Sequence, residues 1–196
     1  VILYGLTALV AFVTNLITVV VLVNGKSCGS RRLRKYLLNL SVADLAMVAL
    51  TIPFTYTNYM FGRWVLAWWT CPLVGMAQLT TITASIYTLV AIAIDRYLAI
   101  MYPLHESISH FKKHRTLILT LVWTFGGCLG LSQWFVTRTA AFEHNGHHYQ
   151  YCSERWLLHS SGPGQAYTVL IFVLIFALPM AIFVAVYTTM GCRLAQ

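Results

Sequence analysis

Charged residues are scarce in this chain. Only 9% of its 196 residues are Asp, Glu, Lys or Arg, and five of these are acidic, whereas an ordinary soluble domain carries about 25% charged residues. Hydrophobic residues make up 59% of the sequence, and the mean hydropathy is +0.71. So few charges cannot cover a water-exposed surface. The composition therefore excludes a soluble domain and predicts a protein that folds in a lipid bilayer.

The long stretches without charge predict five membrane spans, at about 2–23, 36–60, 69–100, 116–136 and 166–191. Each can hold the roughly 20 apolar residues that cross a hydrocarbon core about 30 Å thick. The spans must be helices because lipid offers no partner to a free backbone N–H or C=O group, and a membrane barrel would show short alternating segments instead. We expect an all-α, multi-pass helical bundle that forms a single transmembrane domain over 1–196.

Positive charge is concentrated in two of the four connections. The loop after the first span carries Lys26, Arg31, Arg32, Arg34 and Lys35, and the loop after the third carries Arg96, Lys112, Lys113 and Arg115. The second loop has only Arg63, and the fourth has Arg138 and Arg155 against Glu143 and Glu154. By the positive-inside rule the first and third loops are cytoplasmic and the N-terminus is outside. The net charge of +8 therefore comes mostly from the Lys and Arg residues that orient the spans in the membrane. We expect no nucleic-acid partner.

The cysteines divide between the two sides of the membrane. Cys71 and Cys152 fall on the oxidising outer side, Cys28 and Cys192 on the cytoplasmic side, and Cys128 within the fourth span. A Cys71–Cys152 disulfide is favoured over two free thiols, and would contribute about 4 kcal/mol in the chain-entropy model. A metal site is disfavoured because there is no Cys-x-x-Cys pair or ligand-spaced His, and a solvated loop explains the histidines 144, 147 and 148.

Three polar residues are predicted to share one layer near the middle of the membrane. Asn15, Asp44 and Ser85 lie nine to eleven residues from the cytoplasmic cations Lys26, Lys35 and Arg96, which places them about 14–16 Å above the inner boundary at ~1.5 Å per residue. Hydrogen bonding between helices explains Asn15 and Ser85 as well as a function does. A carboxylate at this depth is costly unless paired, protonated or hydrated, so Asp44 is a functional-site candidate.

The chain resembles the first five helices of the rhodopsin-like (class A) G-protein-coupled receptors. The shared residues are Asn15, "LSVAD" at 40–44, Cys71, "DRY" at 95–97, Pro103, Trp123, Cys152, Pro179 and Tyr187. The spacing is similar too, because Cys71 precedes the Asp-Arg-Tyr triplet by 24 residues. The chain departs from the family pattern at Thr14, at Leu66-Ala67 and in the missing outer proline of the fourth span.

The resemblance implies how the receptor signals. It implies that Asp95 restrains Arg96 in the "DRY" motif, which includes Tyr97, and that activation frees Arg96 to meet a heterotrimeric G protein. Tyr187 would support the open state, and Ile86 with Pro179 would form a packing switch. The resemblance also places Asp44 and Ser85 in an allosteric sodium site, with carboxylate and hydroxyl oxygens that suit a hard cation, and implies no other cofactor.

The resemblance also narrows the ligand. Gln78 stands where amine receptors carry an aspartate, and Val74 stands at the counter-ion position of opsins. The chain is most similar to the neuropeptide Y, neuropeptide FF, orexin and tachykinin receptors, which implies an extracellular peptide ligand and a plasma-membrane location. The expected ligand-binding residues are Gln78, Ile82, Thr55, Gln133, Glu154 and Tyr167. We expect a short peptide, C-terminally amidated and containing Arg, with its basic side chain at Glu154. Pairing of Glu154 with its neighbour Arg155 or with solvent explains that residue equally well.

Other classes fit the sequence less well. A transporter would place paired charges near the midplane, where only Asp44 is ionisable. No Ser/His/Asp or Cys/His set falls at one depth on one side, so we expect no enzyme. The chain reads as a fragment of a seven-helix receptor. The remaining alternative is a natural five-helix isoform that acts as a non-signalling partner of the full-length receptor.

Overall fold

The computed structural model describes residues 2–24, 33–102, 114–144, 146–156 and 161–194. Within these residues, five helices are long and apolar enough to cross a membrane, which confirms the predicted bundle. They are Ile2–Asn24, Arg34–Phe61, Thr70–Met101, Arg115–Val136 and Gly162–Arg193. We number them span 1 to span 5. The predicted loop charges at 26, 31, 32, 112 and 113, together with Cys28 and Pro103, lie outside the described residues.

Two spans are interrupted. Span 2 consists of two helices, Arg34–Leu50 and Ile52–Phe61, which meet at Thr51. Pro53 explains the break, because proline lacks an N–H and its ring opposes a continuous helix. Span 5 runs as a helix over Ser161–Phe172, a π-helical segment over Val173–Ala177 and a second helix over Leu178–Leu194.

A β-hairpin joins spans 4 and 5, which the all-α prediction did not include. Strand β1, Thr137–His144, pairs antiparallel with strand β2, His147–Glu154. Gly146 has a φ of 75° in the tight turn between them, a conformation that glycine adopts readily. The sequence signal was present: an Asn-Gly pair at 145–146 is typical of two-residue hairpin loops.

Span 3 is the centre of the bundle. It packs against spans 2, 4 and 5 and holds the largest set of buried residues among the described helices. Asn39 ties three spans together, because its Nδ2 donates to Thr88 Oγ1 (2.9 Å) while its Oδ1 accepts from Trp123 Nε1 (2.8 Å). Tyr87 donates to the carbonyl of Leu174 in the π-helical segment (2.8 Å). These bonds fix how the helices are rotated about their axes.

Candidate functional site

The outer end of the bundle is closed by a disulfide and a small apolar cluster. Cys71 at the start of span 3 is bonded to Cys152 in β2, with 5.8 Å between their Cα atoms. The predicted disulfide is confirmed. Buried Trp64 packs against Cys71 and Val74, and its backbone N–H donates to the carbonyl of Gln150 (2.6 Å). The hairpin is therefore held against span 3 and the loop between spans 2 and 3.

A cavity of about 420 Å³ lies beneath this closure. Its walls come from spans 2, 3 and 4, from Trp64 in the loop after span 2, from Thr137 at the start of β1 and from the last residues of β2. Five of the six expected ligand-binding residues line it: Thr55, Gln78, Ile82, Gln133 and Glu154. This volume is within the range of small-ligand sites, about 300–1,000 Å³. The structure thus brings together, from four chain segments, residues that are up to 99 positions apart in sequence.

The polar groups of the cavity differ in how firmly they are held. Thr137 Oγ1 donates to Gln133 Oε1 (2.5 Å), and Gln133 Nε2 donates to Glu154 Oε1 (3.0 Å). This chain of bonds fixes the Gln133 amide and one oxygen of the carboxylate. The Gln78 side-chain amide has no hydrogen-bond partner within the described part of the chain, so it retains both donors and its acceptor for a ligand.

Tyr167 does not line this cavity. Its hydroxyl is hydrogen-bonded to Ser132 Oγ (2.7 Å), and its ring packs against Trp156 with 5.0 Å between ring centroids. Trp156 in turn lies on Gly164, where an added Cβ would be 3.0 Å from the indole ring. Tyr167 therefore joins span 4, the end of the hairpin and span 5.

Sequence reasoning missed several residues of the cavity wall, three of which are polar side chains next to predicted ones. Asn58, Tyr59 and Thr137 line it beside the predicted residues. Asn58 and Tyr59 follow Thr55 by about one helical turn, which is the signal that would have found them. Thr137 had no such signal, because its position depends on how span 4 ends and β1 begins.

The predicted polar layer is partly observed. Ser85 Oγ donates to Asp44 Oδ1 (2.8 Å), which joins spans 2 and 3. Asn15 instead donates to the carbonyl of Ala11 in its own helix (2.9 Å). The Asp44 and Ser85 oxygens are adjacent and suit a hard cation. Within the described residues, no group of three or more His, Cys, Asp or Glu side chains could hold a metal ion.

Asp95 forms two ion pairs at the inner end of span 3. Arg96 Nη2 lies 3.5 Å from Asp95 Oδ2, and Arg115 Nη2 lies 3.7 Å from Asp95 Oδ1. The sequence suggested the first pair. The second was not predicted, because Arg115 lies 20 positions later, at the start of span 4.

The other residues expected to act in signalling lie on spans 3 and 5. Tyr97 packs edge-on against Tyr102, with 6.4 Å between ring centroids. Tyr187 is 54% exposed and stacks on Phe183 of its own helix. Pro179 is buried and Ile86 is half-buried. In this conformation, Tyr187 makes no hydrogen bond to Arg96.

Comparison with known proteins matches this architecture to one family. The family model of the seven-transmembrane receptors (rhodopsin family) matches residues 14–196. The RYamide receptor of Tribolium castaneum is 32% identical over 165 residues, which cover 80% of this chain and 44% of the relative. The tachykinin-like peptides receptor 86C of Drosophila melanogaster is 31% identical over 196 residues, covering 97% and 38%. Neuropeptide receptor 22 of Caenorhabditis elegans is 28% identical over 164 residues, covering 81% and 37%.

The chain spans less than half the length of each of these relatives. The family model nevertheless covers nearly all of it, including all or part of each of the five spans and the disulfide. These findings agree with a multi-pass protein of the plasma membrane. The chain belongs to the rhodopsin family of seven-transmembrane receptors.

Proposed function

We propose that the full-length receptor binds an extracellular peptide and activates a heterotrimeric G protein. The observation that supports this best is the outer cavity, which has an amide on its wall at Gln78 and a carboxylate at its rim at Glu154. Glu154 is the only acidic residue among its described lining residues. Gln78 itself offers a monoamine no counter-ion, whereas a peptide can present an amide to Gln78 and a basic group to Glu154.

The relatives favour the same ligand class. Two of those compared above are named as a receptor for tachykinin-like peptides and as a neuropeptide receptor. Their match to this chain covers 97% and 81% of it, so it includes the residues of the cavity. This similarity supports a peptide ligand without identifying which peptide.

Glu154 is held in a position that suits a basic group of the ligand. One of its oxygens accepts from Gln133, and Gln133 is itself fixed by Thr137. The other oxygen remains available for an N–H donor. Because a preorganised carboxylate loses little side-chain entropy on binding, it discriminates well between charges. We expect an Arg side chain of the peptide at Glu154 and an amide, such as a C-terminal carboxamide, at Gln78.

A charge swap tests this arrangement. The probes are a short amidated peptide that contains Arg and its Arg→Glu analogue. Glu154→Lys should weaken binding of the Arg peptide by roughly fivefold or more relative to the Glu analogue, as expected for a partly solvated ion pair of about 1 kcal/mol. Gln78→Ala should weaken both peptides alike. The measurement is competition binding to full-length receptor in membranes.

Glu143→Lys is the matched control. Glu143 is exposed on β1 of the same hairpin, where it lies opposite His148 in the strand register and does not line the cavity. It should leave the ratio of the two affinities unchanged. A monoamine or lipid as the best agonist, or an equal effect of Glu154→Lys on both peptides, would contradict the peptide proposal without affecting the family assignment. Neither the structure nor the comparisons support the alternative of a natural five-helix isoform.

Asp44 and Ser85 are also proposed to hold an allosteric sodium ion. The support is their contact at 2.8 Å together with the preference of hard cations for carboxylate and hydroxyl oxygens. A bound cation would neutralise Asp44 within the membrane, where an unpaired carboxylate is costly. The Asp44 carboxylate would supply the charge and Ser85 a neutral ligand.

A further inference from the structure

The Asp95 carboxylate lies between guanidinium groups from two different spans. Arg96, its neighbour on span 3, approaches Oδ2, and Arg115 from span 4 approaches Oδ1. The Asp95 side chain is only 3% exposed, Arg115 is 13% exposed and Arg96 is 34% exposed. Arg115 is thus the more enclosed of the two cations, and Arg96 the more accessible.

The space around the carboxylate is further closed by span 2. Tyr36 is fully buried and lies within electrostatic reach of both Asp95 and Arg115. Water has little access to Asp95 on this side. A buried carboxylate that loses its only cation is strongly destabilised, because the desolvation penalty remains while the attraction disappears.

We propose that Arg115 is a positioning residue for activation, which keeps Asp95 neutralised when Arg96 leaves it to meet the G protein. The inference rests on the G-protein part of the proposed function and is independent of the ligand. Arg115 acts in the same direction in both states. At rest it shares the carboxylate and so weakens the hold on Arg96, and in the active state it removes the penalty of an unpaired Asp95. Removal of Arg115 should therefore disfavour the active state.

Lys35 provides a matched control at the same end of the bundle. Its Nζ donates to the hydroxyl of Thr116 (3.0 Å), the residue next to Arg115. Within the described residues, it forms no ion pair with a carboxylate. Lys35→Gln therefore removes one positive charge from the same region without removing a partner of Asp95.

The test is a double-mutant cycle on the purified full-length receptor without ligand. The four proteins are the parent, Arg115→Gln, Asp95→Asn and the double variant. A panel of purified G proteins is first assayed for basal nucleotide exchange driven by the parent receptor. The most active heterotrimer, in its nucleotide-free form, is then the probe. The measured quantity is its apparent Kd, which rises in proportion as the competent fraction of receptor falls.

Arg115→Gln should raise this Kd by about fivefold, the lower end of usual coupling between sites. In the Asp95→Asn background the same change should leave the Kd unaltered, because there is no carboxylate left to neutralise. Lys35→Gln should have an effect that does not depend on residue 95. If Arg115→Gln receptor does not fold, Arg115→Lys carries the same comparison, with a smaller rise expected because Lys lacks the planar guanidinium fork.

Three results would overturn the inference. An equal rise in both backgrounds would show that Arg115 contacts the G protein directly or acts only on stability. An unchanged or lower Kd for Arg115→Gln in the parent background would show that Arg115 does not support the active state. If Asp95→Asn itself leaves the Kd unchanged, the Asp95–Arg96 latch fails and this inference fails with it. The charge swap at Glu154 is unaffected by any of these results.

Discussion

Gly130→Ala should destabilise the receptor, whereas Gly127→Ala should not. Both glycines lie on span 4, three residues apart, but they face different surroundings. A Cβ added at Gly130 would clash with Thr80 Oγ1 and lie 2.7 Å from the backbone oxygen of Met76 on span 3. A Cβ added at Gly127 would meet nothing within 4 Å.

The magnitude follows from which neighbouring atoms can move. The Thr80 hydroxyl can change rotamer, but the Met76 carbonyl belongs to the helix backbone, so spans 3 and 4 would have to separate by several tenths of an ångström. Overpacking of this kind costs about 1–3 kcal/mol. Alanine at Gly127 incurs no such cost and gains helix propensity, up to ~1 kcal/mol in water. The difference between the two variants therefore isolates the steric term.

The assay is thermal unfolding of purified full-length receptor in detergent. The shift is about 2–4 °C per kcal/mol for 150–250 residues and smaller for a longer chain, so Gly130→Ala should unfold below Gly127→Ala by at most roughly 12 °C. Thr80→Ala combined with Gly130→Ala should recover only part of the loss, because the clash with Met76 remains. Equal unfolding temperatures for the two single variants would refute the close packing of spans 3 and 4.

Three further predictions concern the switch, the sodium site and span 5. Asp95→Asn should raise basal nucleotide exchange and Arg96→Ala should abolish or strongly reduce it; if neither variant changes basal or agonist-driven exchange, the latch is wrong. Asp44→Asn should remove the dependence of agonist affinity on sodium while leaving the affinity in sodium-free buffer unchanged. Equal sodium sensitivity in the variant and the parent would show that Asp44 is only structural. Tyr87→Phe should lower stability by about 1 kcal/mol through loss of the bond to the Leu174 carbonyl, and an unchanged unfolding temperature would show that this bond contributes nothing.

The sequence predicted the spans well because a membrane span depends only on the length and hydropathy of one continuous segment. Length and hydropathy alone placed the first span at about 2–23, and the helix is Ile2–Asn24. The same reasoning about depth placed Asp44 and Ser85 in one layer, and they are hydrogen-bonded. Depth did not predict the partner of Asn15, whose side chain bonds to its own helix, because depth does not determine which way a helix faces.

The hairpin shows a different kind of failure. Its sequence carried an Asn-Gly turn signal, but we explained its three histidines by a solvated loop and predicted no strands. The pairing of β1 with β2 brings Glu154 to the cavity rim and places it beside Gln133. Sequence spacing alone left Glu154 free to pair with its neighbour Arg155 or with solvent.

The sequence by itself determined the membrane, the number of spans, the disulfide and the family, since each follows from hydropathy, the position of cysteines or spaced motif residues along one chain. Only the tertiary structure decided which side chains meet: Arg115 with Asp95, Gln133 with Glu154, and Tyr167 with Ser132 and Trp156 instead of the cavity. The physical reason is that helix rotation and packing angle are set by contacts between spans, such as Gly130 against Met76, and local sequence patterns do not encode the partner's surface.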